Sequence, residues 1–221
     1  MSIIIVLGTA HSEGGACTSE ELYKIIEEIS PEVVFCEASP EKLPQYLKRT
    51  DVNNPEMNVL RRLIKEKPIE IVPIDVNKDP FDSRLEGMFD LIGRKMKVYS
   101  NASNMILNET FSNGLFFLNS TESDKIFRDK NSLERYFIDK VNNQELSEFY
   151  SEWLKWNDLR ENQWIHLIDN YFKINKPKKA VFLVGANHRY RLIDKIQKIR
   201  DRNELNFDWH FFPFEWKPRR Q

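Results

Sequence analysis

Cysteine, glycine and histidine are all scarce in this chain, with two, seven and four copies among 221 residues, and the formal charge of -1 nearly cancels. Cys17 and Cys36 form no CxxC pair and supply no disulfide framework, which fits a reducing compartment; Cys36 stands in an apolar run and reads as a small buried hydrophobe. The 33 Lys and Arg against 34 Asp and Glu leave no basic excess of the kind phosphate contacts require, so no nucleic-acid partner is expected. From Met1 and Ser2 the chain passes directly into IIIVL. It has no basic n-region there and no run long enough for a signal peptide or a membrane span, so a cytoplasmic protein with no membrane partner is expected.

What is present is the composition of an ordinary globular protein, 41% hydrophobic and 30% charged, long enough to fold without staples. Short apolar runs at 3–7, 33–37, 69–75, 180–184 and 207–214 predict strands; Pro213 places the end of the last at an edge or a bulge. Between them lie helical patterns. TSEELYKIIEEI opens with Thr18 as a cap and Glu21 three residues on, then places Leu22, Ile25, Ile26 and Ile29 at helical spacing until Pro31. Further helices are expected at 55–65, 158–174 and 190–202. From 80 to 158 the strand signal disappears and the text turns helical, with breaks near Gly114 and at 119–121. Strands alternating with helices predict an α/β fold, a mainly parallel sheet flanked by helices. It forms a single domain over 1–221, with an all-helical insertion, a lid, at 80–158. The basic tail at 217–221 reads as frayed.

With so few histidines and glycines, their coincidence is informative. GTAH and GANH each follow an apolar run, placing Gly8 with His11 and Gly185 with His188 in the same frame. Glu37 ends the second strand and Asp75 the third. All four ionisable groups fall at the carboxyl edge of the sheet, where open parallel α/β sheets bind ligands. The two glycines suit sharp turns at positive φ or the close approach of a ligand or backbone. Individually each residue has a simpler role: a solvated loop histidine, or a carboxylate capping the next helix. RENQWIHLIDNYF is expected to start the helix before the fourth strand, so that Arg160, Glu161 and Asn162 enter beside the cleft. Arg160 would grip a substrate carboxylate, phosphate or oxyanion, and Asn162 would orient the ligand. His166, farther along, and His210, in FDWHFFPF, read as structural or surface residues. Trp153 and Trp156 would pack the insertion or roof the cleft.

Two imidazoles with one or two carboxylates suit Zn, Mn, Fe or Co, with His11, His188 and Glu37 as ligands and an activated water in an open position. The metal-free alternative uses a histidine as general base, oriented by Glu37 or Asp75.

GTAH, VVFCE, IVPID, REN and LVGANH together resemble the TraB/PrgY/GumN and TIKI family, part of a wider superfamily with ChaN-like and erythromycin-esterase-like proteins. The resemblance covers roughly the first 80 and last 65 residues; the helical middle carries no alignable motif. It implies an α/β fold with paired Gly-x-x-His motifs, with His11, His188 and Glu37 as catalytic or metal-binding residues. Arg160 and Asn162 would share their pocket, with Asp75, Gly8 and Gly185 beside the substrate. The TIKI branch is regarded as metal-dependent peptidases, the esterase branch opens a lactone, and the ChaN branch binds haem. The second frame, GANH, lacks the extra small residue often found before the histidine. The expected function is hydrolysis of a peptide or ester bond in a small molecule or short peptide. The alternatives are a protein that sequesters haem or a short signalling peptide, and an interaction module whose insertion docks a partner.

Overall fold

Five short runs dominated by Val, Ile, Leu and Phe lie side by side and parallel: β1 (Ile3–Thr9), β2 (Val33–Cys36), β3 (Glu70–Pro73), β4 (Lys179–Gly185) and β5 (Asp208–Phe211), in the order β3-β2-β4-β1-β5. This computed structural model describes residues 2–49, 53–76, 81, 83–202 and 207–213. The expected start of the insertion at residue 80, the end of the last strand at 214 and the tail at 217–221 lie outside the described residues.

Successive side chains on a strand point to opposite faces, and the apolar runs split accordingly. Ile5, Leu7, Val34, Cys36, Val181 and Leu183 meet α1 (Ser19–Ile29) and α3 (Pro55–Glu66) on one face. Ile4, Val6, Phe35, Phe182 and Val184 meet α7 (Gln144–Asn175) and α8 (Ala186–Arg200) on the other. With both faces covered, β1 and β4 are buried almost end to end, which is why they read as unbroken apolar runs rather than alternating ones. Cys36 is fully buried as expected, and burial pushes its thiol up to about 12.

The chain leaves β1 toward one face and β4 toward the other, so a crevice opens between these adjacent strands at their carboxyl ends. Register places Gly8 beside Val184 and Thr9 beside Gly185, which brings the two Gly-x-x-His frames together. Neither glycine uses positive φ; among glycines that conformation belongs to Gly15 and Gly114. Both are small because something approaches. A Cβ on Gly8 would press on Asn119 and Ala186, and one on Gly185 would lie 3.3 Å from Glu37 Oε2.

The insertion follows β3 and consists, among the described residues, of α4 (Ser83–Lys95), α5 (Lys97–Leu118), α6 (Thr121–Val141) and the first half of α7. It has a core of its own, in which Met88, Ile92, Tyr99, Phe137, Tyr150 and Trp153 pack together. The breaks expected near Gly114 and at 119–121 are present: Gly114 kinks α5 at φ 58° and ψ -143°, and Ser120 caps α6. The helix expected to start at about 158 starts earlier. α7 runs 32 residues from its Asn143 cap through position 158 without interruption, because nothing between 144 and 175 is a glycine or proline that would stop it. α8 likewise begins at Ala186 rather than 190, so His188 occupies its first turn.

Thr18 caps α1 by accepting the Glu21 N–H at 3.1 Å. Glu21 does not reach back to close a capping box. Its carboxylate crosses to the Leu115 N–H at 3.0 Å and so caps the half of α5 that restarts after Gly114, while burial holds its own pKa above the usual carboxylate value.

Candidate functional site

Glu37 follows β2 directly and is the hub of the crevice. Its Oε2 accepts the Gly185 N–H at 2.8 Å, its Oε1 accepts from Arg160 Nη2 at 2.6 Å, and His188 Nε2 stands 3.8 Å from Oε1. His11 Nε2 and Glu37 Oε2 both lie within 3.5 Å of the position a Cβ on Gly185 would take. His11, His188 and Glu37, from three distant segments, therefore meet in one place. Burial works to raise the Glu37 carboxyl, but His188, Arg160, the Gly185 N–H and His11 outweigh it and hold it below its usual value.

Arg160 reaches this point from the middle of α7. Its Nε and Nη2 form a fork on Asp75 at 2.9 and 2.8 Å, and Nη2 also serves Glu37. Asp75 takes a third donor, Trp164 Nε1, at 3.0 Å. Arg160, expected to grip the substrate, has its fork held by Glu37 and Asp75, and its remaining Nη1 faces Asn157 Oδ1 at 3.4 Å. Arg160 sets the position and charge of Glu37. Asp75 anchors Arg160. Trp164, fully buried, is their platform, with Arg160 4.8 Å above its ring and His188 edge-on at 5.0 Å.

Asn162 is also corrected. Two positions beyond Arg160 on a helix is roughly 200° around the axis, and Asn162 is exposed on the opposite surface, where it pairs with Asp158 and Lys195. Glu161 is the residue that enters the site. It is 1% exposed, and its Oε1 stands 2.8 Å from His188 Nδ1, with Lys195 Nζ at 3.6 Å and Arg191 at 3.9 Å balancing its charge. With Nδ1 engaged by Glu161, Nε2 is the ring nitrogen left toward Glu37 and the cleft.

A cleft of about 540 Å³ opens beside the two histidines, lined by Thr9, His11, Gly185 and His188 on the sheet side and by Ile106, Leu107 and Phe111 of α5 on the other. Leu107 and Phe111 are largely exposed, apolar surface that a ligand would cover. The His11 loop is clasped to this wall: the Ala16 N–H donates to the Phe111 carbonyl at 2.7 Å, and Gly15, at φ 55°, has no room there for a Cβ. A smaller recess of about 170 Å³ lies behind, against Glu37, Asp75, Arg160 and Trp156. Trp156 thus borders the site, while Trp153 belongs to the core of the insertion. His166 is exposed on α7 and meets Asn170.

Gly8 plays its part indirectly. The Asn119 side chain accepts its N–H at 2.7 Å and donates to its carbonyl at 2.8 Å, which fixes the end of β1 to the insertion. Sequence reasoning missed Asn119, Thr9, Glu56 and the role of Glu161. The available signals were weak: Glu56 in the first turn of a helix reads as a complement to the helix dipole, and Glu161 is one charge among many on α7.

As a metal centre the set is incomplete. Both Glu37 oxygens already have donors, Arg160 opposes a second positive charge beside it, and among the described residues no three His, Cys, Asp or Glu side chains are arranged to hold a cation. No helix among the described residues is long and apolar enough to cross a membrane. The fold and crevice define an α/β protein with a two-histidine, two-glutamate site at the strand ends. Comparison with protein-family models, curated proteins and solved structures returns no match.

Proposed function

We propose that the protein is a hydrolase of ester or amide bonds in a small molecule or short peptide, with His188 as general base. The observation that carries this reading is the buried Glu161–His188 pair, whose free Nε2 faces a ligand-sized cleft beside His11 and Glu37. A carboxylate on Nδ1 fixes the tautomer and stabilises the imidazolium formed when Nε2 takes a proton from water. α8 begins at Ala186, which with Asn187 and His188 lines the cleft, so the positive end of this helix favours the negative charge that develops on the attacked carbonyl oxygen. His11, exposed at the mouth, is the second polar contact for a substrate. Glu37, fastened by Arg160 and the Gly185 N–H, orients and electrostatically supports both imidazoles. Kinship with the TraB/TIKI family belongs to the same proposal and rests on the motifs alone.

The test is hydrolysis of ester and peptide libraries by protein purified without an affinity tag, with and without added Mn, Zn, Co or Fe, alongside elemental analysis. Turnover without metal, abolished by His188→Ala and Glu37→Gln in folded protein, supports the reading. Turnover only with a bound metal would move the catalytic role to a metal-held water. A co-purifying ligand such as haem or a peptide, with no turnover, would replace hydrolysis by sequestration.

A further inference from the structure

Besides Asp75, which Arg160 holds, three carboxylates are buried or nearly so around this crevice, and among the described residues two of the three have a cation. Glu161 has Lys195 and Arg191; Glu37 has Arg160. Glu56, in the first turn of α3 and 2% exposed, makes no ion pair among the described residues. Its Oε1 lies against the Thr9 hydroxyl, which also stands 3.1 Å from the Val184 carbonyl. A hydroxyl has one proton to give. If Glu56 were ionised, that proton would be drawn to the carboxylate and the Val184 carbonyl would lose this donor. If Glu56 carries a proton, it donates to Thr9 Oγ1 while Thr9 donates to Val184, and every group is satisfied.

The charged surroundings agree. His11 on the loop after β1 and Glu37 after β2 act on Glu56, and Glu56 in turn acts on Cys36 of β2. Glu20 and Glu27 of α1 are engaged by Arg62 and Lys67 of the α3 region. Lys42 and Lys48, at α2 (Leu43–Lys48), form no ion pair with Glu56. Burial, with Glu37 adding to it, pushes its carboxyl up to about 6 against the pull of His11 and Thr9, whereas Glu37 is driven the other way. Two carboxylates at one site whose proton affinities are forced apart are the pattern of an acid and a base.

We propose that Glu56 is the proton store of this site, handing its carboxyl hydrogen through the Thr9 hydroxyl to the leaving group of a substrate in the cleft that Thr9 lines. The proposal rests on the hydrolytic reading. His188 takes a proton from the attacking water as the new C–O bond forms. As the scissile bond breaks, Thr9 gives its hydroxyl proton to the departing oxygen or nitrogen and receives the proton of Glu56. The resulting Glu56 carboxylate and His188 imidazolium reset by proton exchange with solvent, so the net change is water added across the bond.

Infrared difference spectra of wild type against Glu56→Gln read this proton directly. A carboxylic-acid carbonyl band is expected in the wild type at about pH 5, absent from the variant, and lost by about pH 8. Thr9→Val should displace the pH midpoint of the band and Thr9→Ser restore it; should Glu56→Gln fail to fold, this pair carries the same test. In any hydrolysis assay the wild-type rate should fall as pH rises through that midpoint. Glu56→Gln and Thr9→Val should lose this alkaline limb and run roughly 10²-fold slower, with the limb returning in Thr9→Ser. Absence of the band at about pH 5, or an alkaline limb unchanged in Glu56→Gln, overturns the proposal and leaves hydrolysis standing. A band that behaves as expected in a protein that turns over nothing sinks the hydrolytic reading and the leaving-group step together, and leaves only the proton on Glu56.

Discussion

A carboxylate taken out of water must find a cation, find several donors, or keep its proton, and each of these solutions occurs here within one crevice. Glu161 uses the first, and its role is separable from folding. Glu161→Gln keeps an oxygen for His188 Nδ1 but removes the charge that stabilises the imidazolium. It should lower kcat by roughly 10²- to 10⁴-fold with little change in KM, as steady-state kinetics on folded variant would show. Glu56 uses the third. Because its folded pKa lies above the ordinary carboxylate value, the folded state holds the extra proton between 4.5 and about 6, and stability is lost as pH rises through that window. Ionising it costs about 2 kcal/mol. Glu56→Gln should therefore unfold at higher denaturant than wild type at about pH 8 and show no such gain at about pH 4; equal midpoints at both would contradict a raised Glu56. His11 and His188 were legible because scarce histidines recurred with glycines at strand ends, and Glu37 because it ends an apolar strand. Glu56 and Glu161 were not, because acids in helices are common and only burial separates these two from the rest.

At the scale of elements, Arg160 ties α7 to the ends of β2 and β3. Removing it leaves Glu37 and Asp75 without their shared cation in a nearly dry site. Arg160→Met should cost about 3–5 kcal/mol in chemical denaturation, and adding Asp75→Asn should recover part of that loss. The kink of α5 offers a second check. Gly114 occupies a conformation reserved for glycine, and a Cβ would also collide with the Glu21 carboxylate that caps the next turn. Gly114→Ala should destabilise by about 1–3 kcal/mol, and Glu21→Gln by less, since the amide oxygen still accepts the Leu115 N–H. The five strands and the helices that cover the sheet followed from periodicity and caps, whereas the short α2 at Leu43–Lys48 was not expected. The start of α7 did not, because a polar, continuously helical text gives no sign of where the insertion hands over to the sheet-covering half of one helix.

That handover matters for the whole molecule. Tyr150 and Trp153 of α7 belong to the core of the insertion, while Trp164, Ile165, Ile168 and Phe172 of the same helix pack on the sheet. A rigid helix shared by two cores couples them, so calorimetry should show one unfolding transition whose van't Hoff and calorimetric enthalpies agree. Two resolved transitions would mean that the helical layer folds independently of the sheet. Coupling of this kind also places the α5 wall of the cleft under the control of the scaffold that holds the histidines.

The amino-acid sequence alone determined the α/β class, the position of the helical insertion between the third and fourth strands, and the meeting of His11, Glu37 and His188. These follow from local periodicity and from the rule that parallel strands share a carboxyl edge, which needs no knowledge of side-chain direction. Only the tertiary structure decided what each polar group faces. It turned Asn162 to the surface and Glu161 inward, set Arg160 between two carboxylates, and brought Glu56 to Thr9 across 47 residues of chain. Helix phase and burial fix those pairings, and both depend on contacts between segments that the linear order keeps apart.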